Sequence, residues 1–287
     1  MLVLAVVALV VAALGFATLT TKGRHMTTWL RFYAWKLASG QAHGGGRMTV
    51  NGVSIYYETY GAGPPVLIIH GAGGSIEGMA SQVMALAASH LVVAADSRGH
   101  LRSTDSSAPM TYGLIADDLS KLLEGLRIEK ADIVGWSDGG IVGLDLAMHH
   151  PDRVRRLVAI SANFTPEGVR ANPVGVTDIA DAEIPPMPLR YRLLAPDPAQ
   201  YSVSYRKIAI MGRTEPHYAL ADLGRITAKT LIVAGQNDVI RREHTDELAG
   251  AIPGSRKIIV AGASHALPWE KPGILNDYVV RFLDEGN

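Results

Sequence analysis

Residues 1–21 carry no charged side chain, and Met1 to Leu19 is apolar apart from Thr18. From Met48 the pattern changes to short apolar runs. Val53 to Tyr57 alternates toward a strand. Val66–Ile69, Leu91–Ala95, Ile133-Val134, Leu157–Ile160, Leu231–Ala234 and Ile258–Val260 are unbroken apolar runs. Runs of that length, rich in Val and Ile, suit strands buried on both faces. Helical patterns lie between them. In 113–126, Leu114, Ile115, Leu119, Leu122, Leu123 and Leu126 form one stripe, with Asp117, Asp118 and Lys121 on a solvated face. Residues 139–149 are nearly all apolar or glycine, a buried helix. Strand and helix in alternation predict a mostly parallel sheet with helices on both faces. Residues 164–227 break the rhythm. They hold eight prolines, a weak helical pattern and no strand run, and so are expected to be a lid inserted over a site. The core is then 49–163 and 228–287.

The N-terminal run has its own logic. As a helix rising about 1.5 Å per residue it spans roughly 28 Å, close to a bilayer core of about 30 Å. Lys22, Arg24, Arg31 and Lys36 follow, interleaved with Trp29, Phe32, Tyr33 and Trp35. Cations and aromatic rings beside an apolar helix suit a membrane interface. Residues 1–21 are therefore expected to be a transmembrane anchor in the lipid bilayer, with the positive flank placing the main domain in the cytoplasm. A cleaved signal peptide and export form the alternative, although no Lys or Arg precedes the run. Residues 22–48 read as a juxtamembrane segment, with a flexible linker over 37–48 that includes Gly44-Gly45-Gly46. A chain starting near Met48 is expected to fold and work alone.

Charge narrows the function classes. The 287 residues carry 27 Lys and Arg against 27 Asp and Glu, so nothing points to nucleic acid. No cysteine is present, which removes thiol nucleophiles and thiolate metal sites.

The candidate chemistry starts at Gly135-Trp136-Ser137-Asp138-Gly139-Gly140, between a strand and a helix. Ser137 in that G-x-S-x-G context is a candidate nucleophile, raised on a strained turn whose crowding demands glycine two residues either side. A serine hydroxyl needs a base held by an acid. Asp238 follows the run 231–234 and His265 follows 258–260, so all three lie at strand carboxyl ends, where ligands bind in such sheets. The run 66–69 ends in His70-Gly71-Ala72-Gly73-Gly74. That loop can aim the N–H of Ala72 at Ser137 and, with the N–H of Asp138, make an oxyanion hole.

These residues together resemble the α/β-hydrolase superfamily: HGAGG at 70–74, DSRGHLRS at 96–103, GWSDGG at 135–140, GQND at 235–238 and GASH at 262–265. The resemblance covers about residues 50–284. It implies an α/β-hydrolase fold with an eight-stranded, mostly parallel sheet, here preceded by an N-terminal apolar helix, with a lid after the sixth strand and no cofactor. It implies Ser137 as nucleophile, Asp238 as acid, His265 as base, and Ala72 and Asp138 as oxyanion donors. Two departures stand out. Leu101 replaces a usual glycine, and no tryptophan follows the HG loop at the usual distance.

The expected activity is hydrolysis of a small-molecule carboxylic ester through an acyl-enzyme. Amide, lactone or C–C hydrolysis, or a non-catalytic membrane-tethered binding module, are the alternatives. Asp138 and Trp136 beside the nucleophile are candidate substrate contacts. The hexapeptide GWSDGG is similar to that of valacyclovir hydrolases, where the Asp binds a substrate α-amino group. Against that stands a side chain that turns away and lends only its N–H. His70 and His100 read as loop residues, with Arg98 and Asp96 holding the loop. No metal set is apparent.

Overall fold

The computed structural model describes residues 21–38, 42–170 and 184–285. Eight strands form one sheet: β1 (Ala42–Val50), β2 (Val53–Tyr60), β3 (Pro65–Ile69), β4 (Leu91–Ala95), β5 (Ala131–Trp136), β6 (Val154–Ile160), β7 (Lys229–Asn237) and β8 (Arg256–Ser264). Their order is β1-β2-β4-β3-β5-β6-β7-β8. β3 to β8 run parallel, and β1 and β2 are antiparallel to their neighbours. Every short apolar run named above from Met48 onward lies in a strand of this sheet. β3 to β6 are buried nearly end to end because helices cover both faces.

The helices are α1 (Thr21–Ala38), α2 (Ala80–Leu86), α3 (Tyr112–Gly125), α4 (Asp138–His149), α5 (Leu189–Leu194), α6 (Tyr201–Thr214), α7 (Arg242–Ala251) and α8 (Pro272–Asp284), with one-turn helices at 220–223 and 267–270. One apolar cluster joins the sheet to α3, α4 and α7. The other joins it to α1, α2 and α8. Between β6 and β7 the described residues carry short helices joined by loops and form no strand of the sheet. Proline-rich spacing had hidden α5 and α6.

The linker expected over 37–48 is corrected. Residues 42–50 are an edge strand paired with β2 through an Asn51-Gly52 turn, both residues at positive φ (46° and 74°). Such a turn matches the twist of paired strands. Gly45 is needed for close approach, since a Cβ there would meet the Tyr57 carbonyl oxygen at 2.8 Å. Three glycines in a row carry no side-chain pattern, so backbone pairing leaves no trace in the sequence.

Residues 1–20, the bulk of the expected anchor, lie outside the described residues. Among the described residues no helix is long and apolar enough to cross a membrane. The juxtamembrane segment is α1, and it is part of the fold. Phe32 is fully buried, stacked on Trp35 with centroids 5.8 Å apart and tilted against Tyr60. Tyr33 donates to Glu77 (2.8 Å) and Lys36 to Glu58 (2.7 Å). These contacts argue against a core that starts at Met48 and stands alone.

Candidate active site

Ser137 sits between β5 and α4 with φ 56° and ψ −122°, outside the ordinary regions for a side-chain-bearing residue. The turn leaves no room beside it. A Cβ on Gly135 would lie 2.0 Å from the Gly139 carbonyl oxygen, and one on Gly139 would lie 2.2 Å from that of Ile69. The Ser137 N–H donates to Ile160 (2.8 Å), which ties the elbow to the end of β6.

His265, just beyond β8, brings Nε2 to 2.9 Å from Ser137 Oγ and Nδ1 to 2.7 Å from Asp238 Oδ1. Residues 128 and 27 positions apart thus form one hydrogen-bonded chain. Asp238 is buried, which alone would raise its carboxyl. The bond from His265 and the donors Ser161 and Ile240 outweigh burial and hold it below its usual range. An ionised acid, an imidazole and a hydroxyl in line can move a proton off the serine.

The loop after β3 crosses the elbow. A Cβ on Gly71 would come within 3.1 Å of Ser137 Cβ. Ala72 follows in an exposed turn closed by the Gly74 N–H on Gly71 (3.0 Å). Asp138 opens α4, so its N–H belongs to the helix N-terminus beneath Ser137. His70 holds the loop from below. Its Nδ1 faces the Gly71 carbonyl (2.8 Å), and its Nε2 accepts from the Ser97 N–H (3.0 Å). Burial lowers it to about 4, so it is neutral and structural.

Trp136 is buried below the site. It donates to the His265 carbonyl (2.9 Å) and packs edge-on to Trp269. That contact supports the imidazole and leaves the indole little surface to offer a substrate. The Asp138 side chain is held by the Tyr112 hydroxyl (3.0 Å), while its Oδ2 is enclosed and has no hydrogen-bond partner among the described residues.

Burial is the main influence on Asp138. Tyr112 and His265 offset part of it, leaving the carboxyl raised to about 6. A carboxyl with a raised folded value favours folding at low pH, and that contribution is lost as pH climbs through 6. Asp138→Asn should therefore raise unfolding free energy at pH 8 by about 1–2 kcal/mol, below the full linkage value because the enclosed amide leaves a polar group of its own to satisfy. Urea unfolding at pH 8 and pH 4 checks this: the gain should vanish at pH 4. A variant no more stable than wild type at pH 8 contradicts it.

Asp118 corrects another expectation. It is fully buried and takes two bonds from Arg98, both 2.7 Å, while Asp117 stays partly exposed. Asp96 instead holds Arg102 (2.6 Å) and the Ile76 N–H (2.9 Å). Neither Asp117 nor Asp118 is paired with His265. Leu101 takes φ 33°, a strained value in place of the usual glycine, and lines a cleft with Gly73, Gly74, Arg190, Tyr205 and Ile208. The cleft lies between the glycine loop and the helices that follow β6.

A family model described as alpha/beta hydrolase fold matches residues 64–201. The RutD protein of Caulobacter vibrioides, provisionally named a carbamate hydrolase, is 30% identical over 267 residues, covering 83% of this chain and 98% of that one. The chain belongs to the alpha/beta hydrolase family. A hydrolase from Pseudomonas aeruginosa PA01 matches at 26% identity and TM-score 0.68, over 85% of this chain and 99% of that one. The enol-lactonase from Burkholderia xenovorans LB400 matches at 25% identity and TM-score 0.67, over 84% and 100%.

Sequence reasoning missed Ser161 and Tyr112. Ser161 lies one residue past an apolar run, the same signal that marked Asp238 and His265. Tyr112 lies in a helix stripe and gives no such signal.

Proposed function

We propose that the protein is a serine hydrolase of small carboxylic esters, held at a membrane by its N-terminus. The observation that carries the catalytic reading is the chain Ser137 Oγ, His265 Nε2, His265 Nδ1, Asp238 Oδ1, with links of 2.9 and 2.7 Å, on an elbow at positive φ. Ser137 attacks the ester carbonyl while His265 takes its proton. The N–H groups of Ala72 and Asp138 face the developing oxyanion, and such a donor is typically worth 10²–10³ in rate. His265 returns the proton to the leaving alcohol, then activates the water that frees Ser137. Asp238 stays ionised and orients the ring. The lid reading is supported by Arg190, Tyr191, Tyr205 and Ile208, described residues after β6 that wall the cleft.

Asp138 already has Tyr112 as partner, which favours plain esters over α-amino esters. The tether reading rests on residues 1–19 and on α1, whose outer face leaves Met26 (55%), Leu30 (55%) and Leu37 (89%) exposed along one stripe. The cations that follow the run support a cytoplasmic side for the catalytic domain in this reading.

A panel of p-nitrophenyl esters of graded chain length tests this, run beside a lactone, a carbamate and a matched aminoacyl and des-amino ester pair. Esters should turn over fastest, with an initial burst equal to the enzyme present and equal rates for the amino pair. Turnover of the lactone or carbamate with no ester hydrolysis would move the substrate class toward the relatives. No turnover at all would favour a binding module.

A further inference from the structure

Asp238 presents two oxygens, and the mechanism uses only one. Oδ1 meets His265 and the Ile240 N–H (3.1 Å). Oδ2 accepts a bond from Ser161 Oγ at 2.6 Å and a longer one from the Gly235 N–H at 3.3 Å. Ser161 is 2% exposed and follows the last residue of β6. Its φ is 53°, in the left-handed region that costs a side-chain-bearing residue energy, and its N–H is pinned to the Val233 carbonyl (2.7 Å) on β7. Glycine would relieve that conformation. A serine kept there, buried and aimed at the candidate acid, is best explained by its hydroxyl.

We propose that Ser161 is a positioning residue for Asp238: its hydroxyl fixes the second carboxylate oxygen so that the first faces His265. The proposal rests on the serine-hydrolase reading and extends it. The hydroxyl acts in two ways. It stops the carboxyl group rotating about its bond to the chain, which would carry Oδ1 away from the imidazole. It also shares the carboxylate charge, so the acid orients the ring without binding the imidazolium too tightly. Removing the donor leaves a more basic carboxylate, which stabilises protonated His265 and moves the acid limb of the pH profile upward.

Ser161→Ala and Ser161→Gly separate the hydroxyl from the strain. Alanine keeps the cost of positive φ, and glycine removes it. Both should lower kcat about tenfold with little change in KM, roughly what 1.4 kcal/mol of lost transition-state stabilisation gives. Both should shift the acid limb of kcat/KM upward by about half a pH unit. The glycine variant should match or exceed wild type in Tm. Loss of activity that tracks Tm, with the acid limb unmoved, overturns the proposal and leaves Ser161 a packing residue. Wild-type rates in both variants overturn it too. Labelling of wild type by a fluorophosphonate probe, run in parallel, separates the two readings. An unlabelled wild type overturns the hydrolase reading and this proposal with it. A labelled wild type whose pH profile matches that of Ser161→Ala overturns this proposal alone.

Discussion

Ser137→Ala should lower ester hydrolysis by at least about 10³-fold, and His265→Ala should do the same. The double variant should be hardly worse than either single one, because a nucleophile without its base and a base without its nucleophile are equally idle. Asp238→Asn should cost about 10⁴-fold in kcat, since an amide facing His265 Nδ1 can favour the wrong tautomer. Steady-state kinetics on one ester, with circular dichroism to show that each variant is folded, checks all three. Near-full activity in Asp238→Asn would refute the assignment of the acid. No fallback is available at Asp118, whose two oxygens are committed to Arg98.

Truncation should divide the N-terminus into two functions. Removing residues 1–20 should leave a folded, active protein and release it from membranes, because the apolar run is lost while α1 keeps its packing. Removing residues 1–47 should instead cost the fold. That cut uncovers the site of Phe32, a burial worth about 1.5–3 kcal/mol, and removes one partner each from Glu77 (Tyr33) and Glu58 (Lys36). It also strips most of β1 from β2 and exposes a new sheet edge, which invites aggregation. The sum is a large part of the 5–15 kcal/mol typical of a domain's stability. Membrane fractionation with a carbonate wash and a urea melt of each truncate check the two halves. A stable, active chain beginning at Met48 would contradict the second.

How much of this was legible follows from what each element needs. β3 and β4 are buried on both faces and read as continuous apolar runs, while β5, β6 and β7 read from shorter apolar runs inside strands that also hold Asp132, Arg155, Arg156 and Lys229. The elbow reads because steric crowding admits only glycine at 135 and 139. Asp238 and His265 read because each follows a strand run. β1 was hidden because Gly44 to Gly46 pair through the backbone alone. Asp118 was misread because helical phase records which face a residue shares, and it cannot record that Arg98, 20 residues away, reaches in to pair with it. The aromatic and cationic residues of α1 suit a membrane interface and a docked helix equally. Only the tertiary contacts of Phe32, Tyr33 and Lys36 separate the two.

The central claim is that Ser137 forms the covalent acyl intermediate. Its most direct test is peptide mapping after reaction of the full chain with a fluorophosphonate. The account predicts one stoichiometric adduct on the peptide bearing Gly135 to Gly140, located on Ser137, and none in Ser137→Ala or after His265→Ala at the same exposure. An adduct on another residue, or a wild-type chain that stays unlabelled, would contradict it.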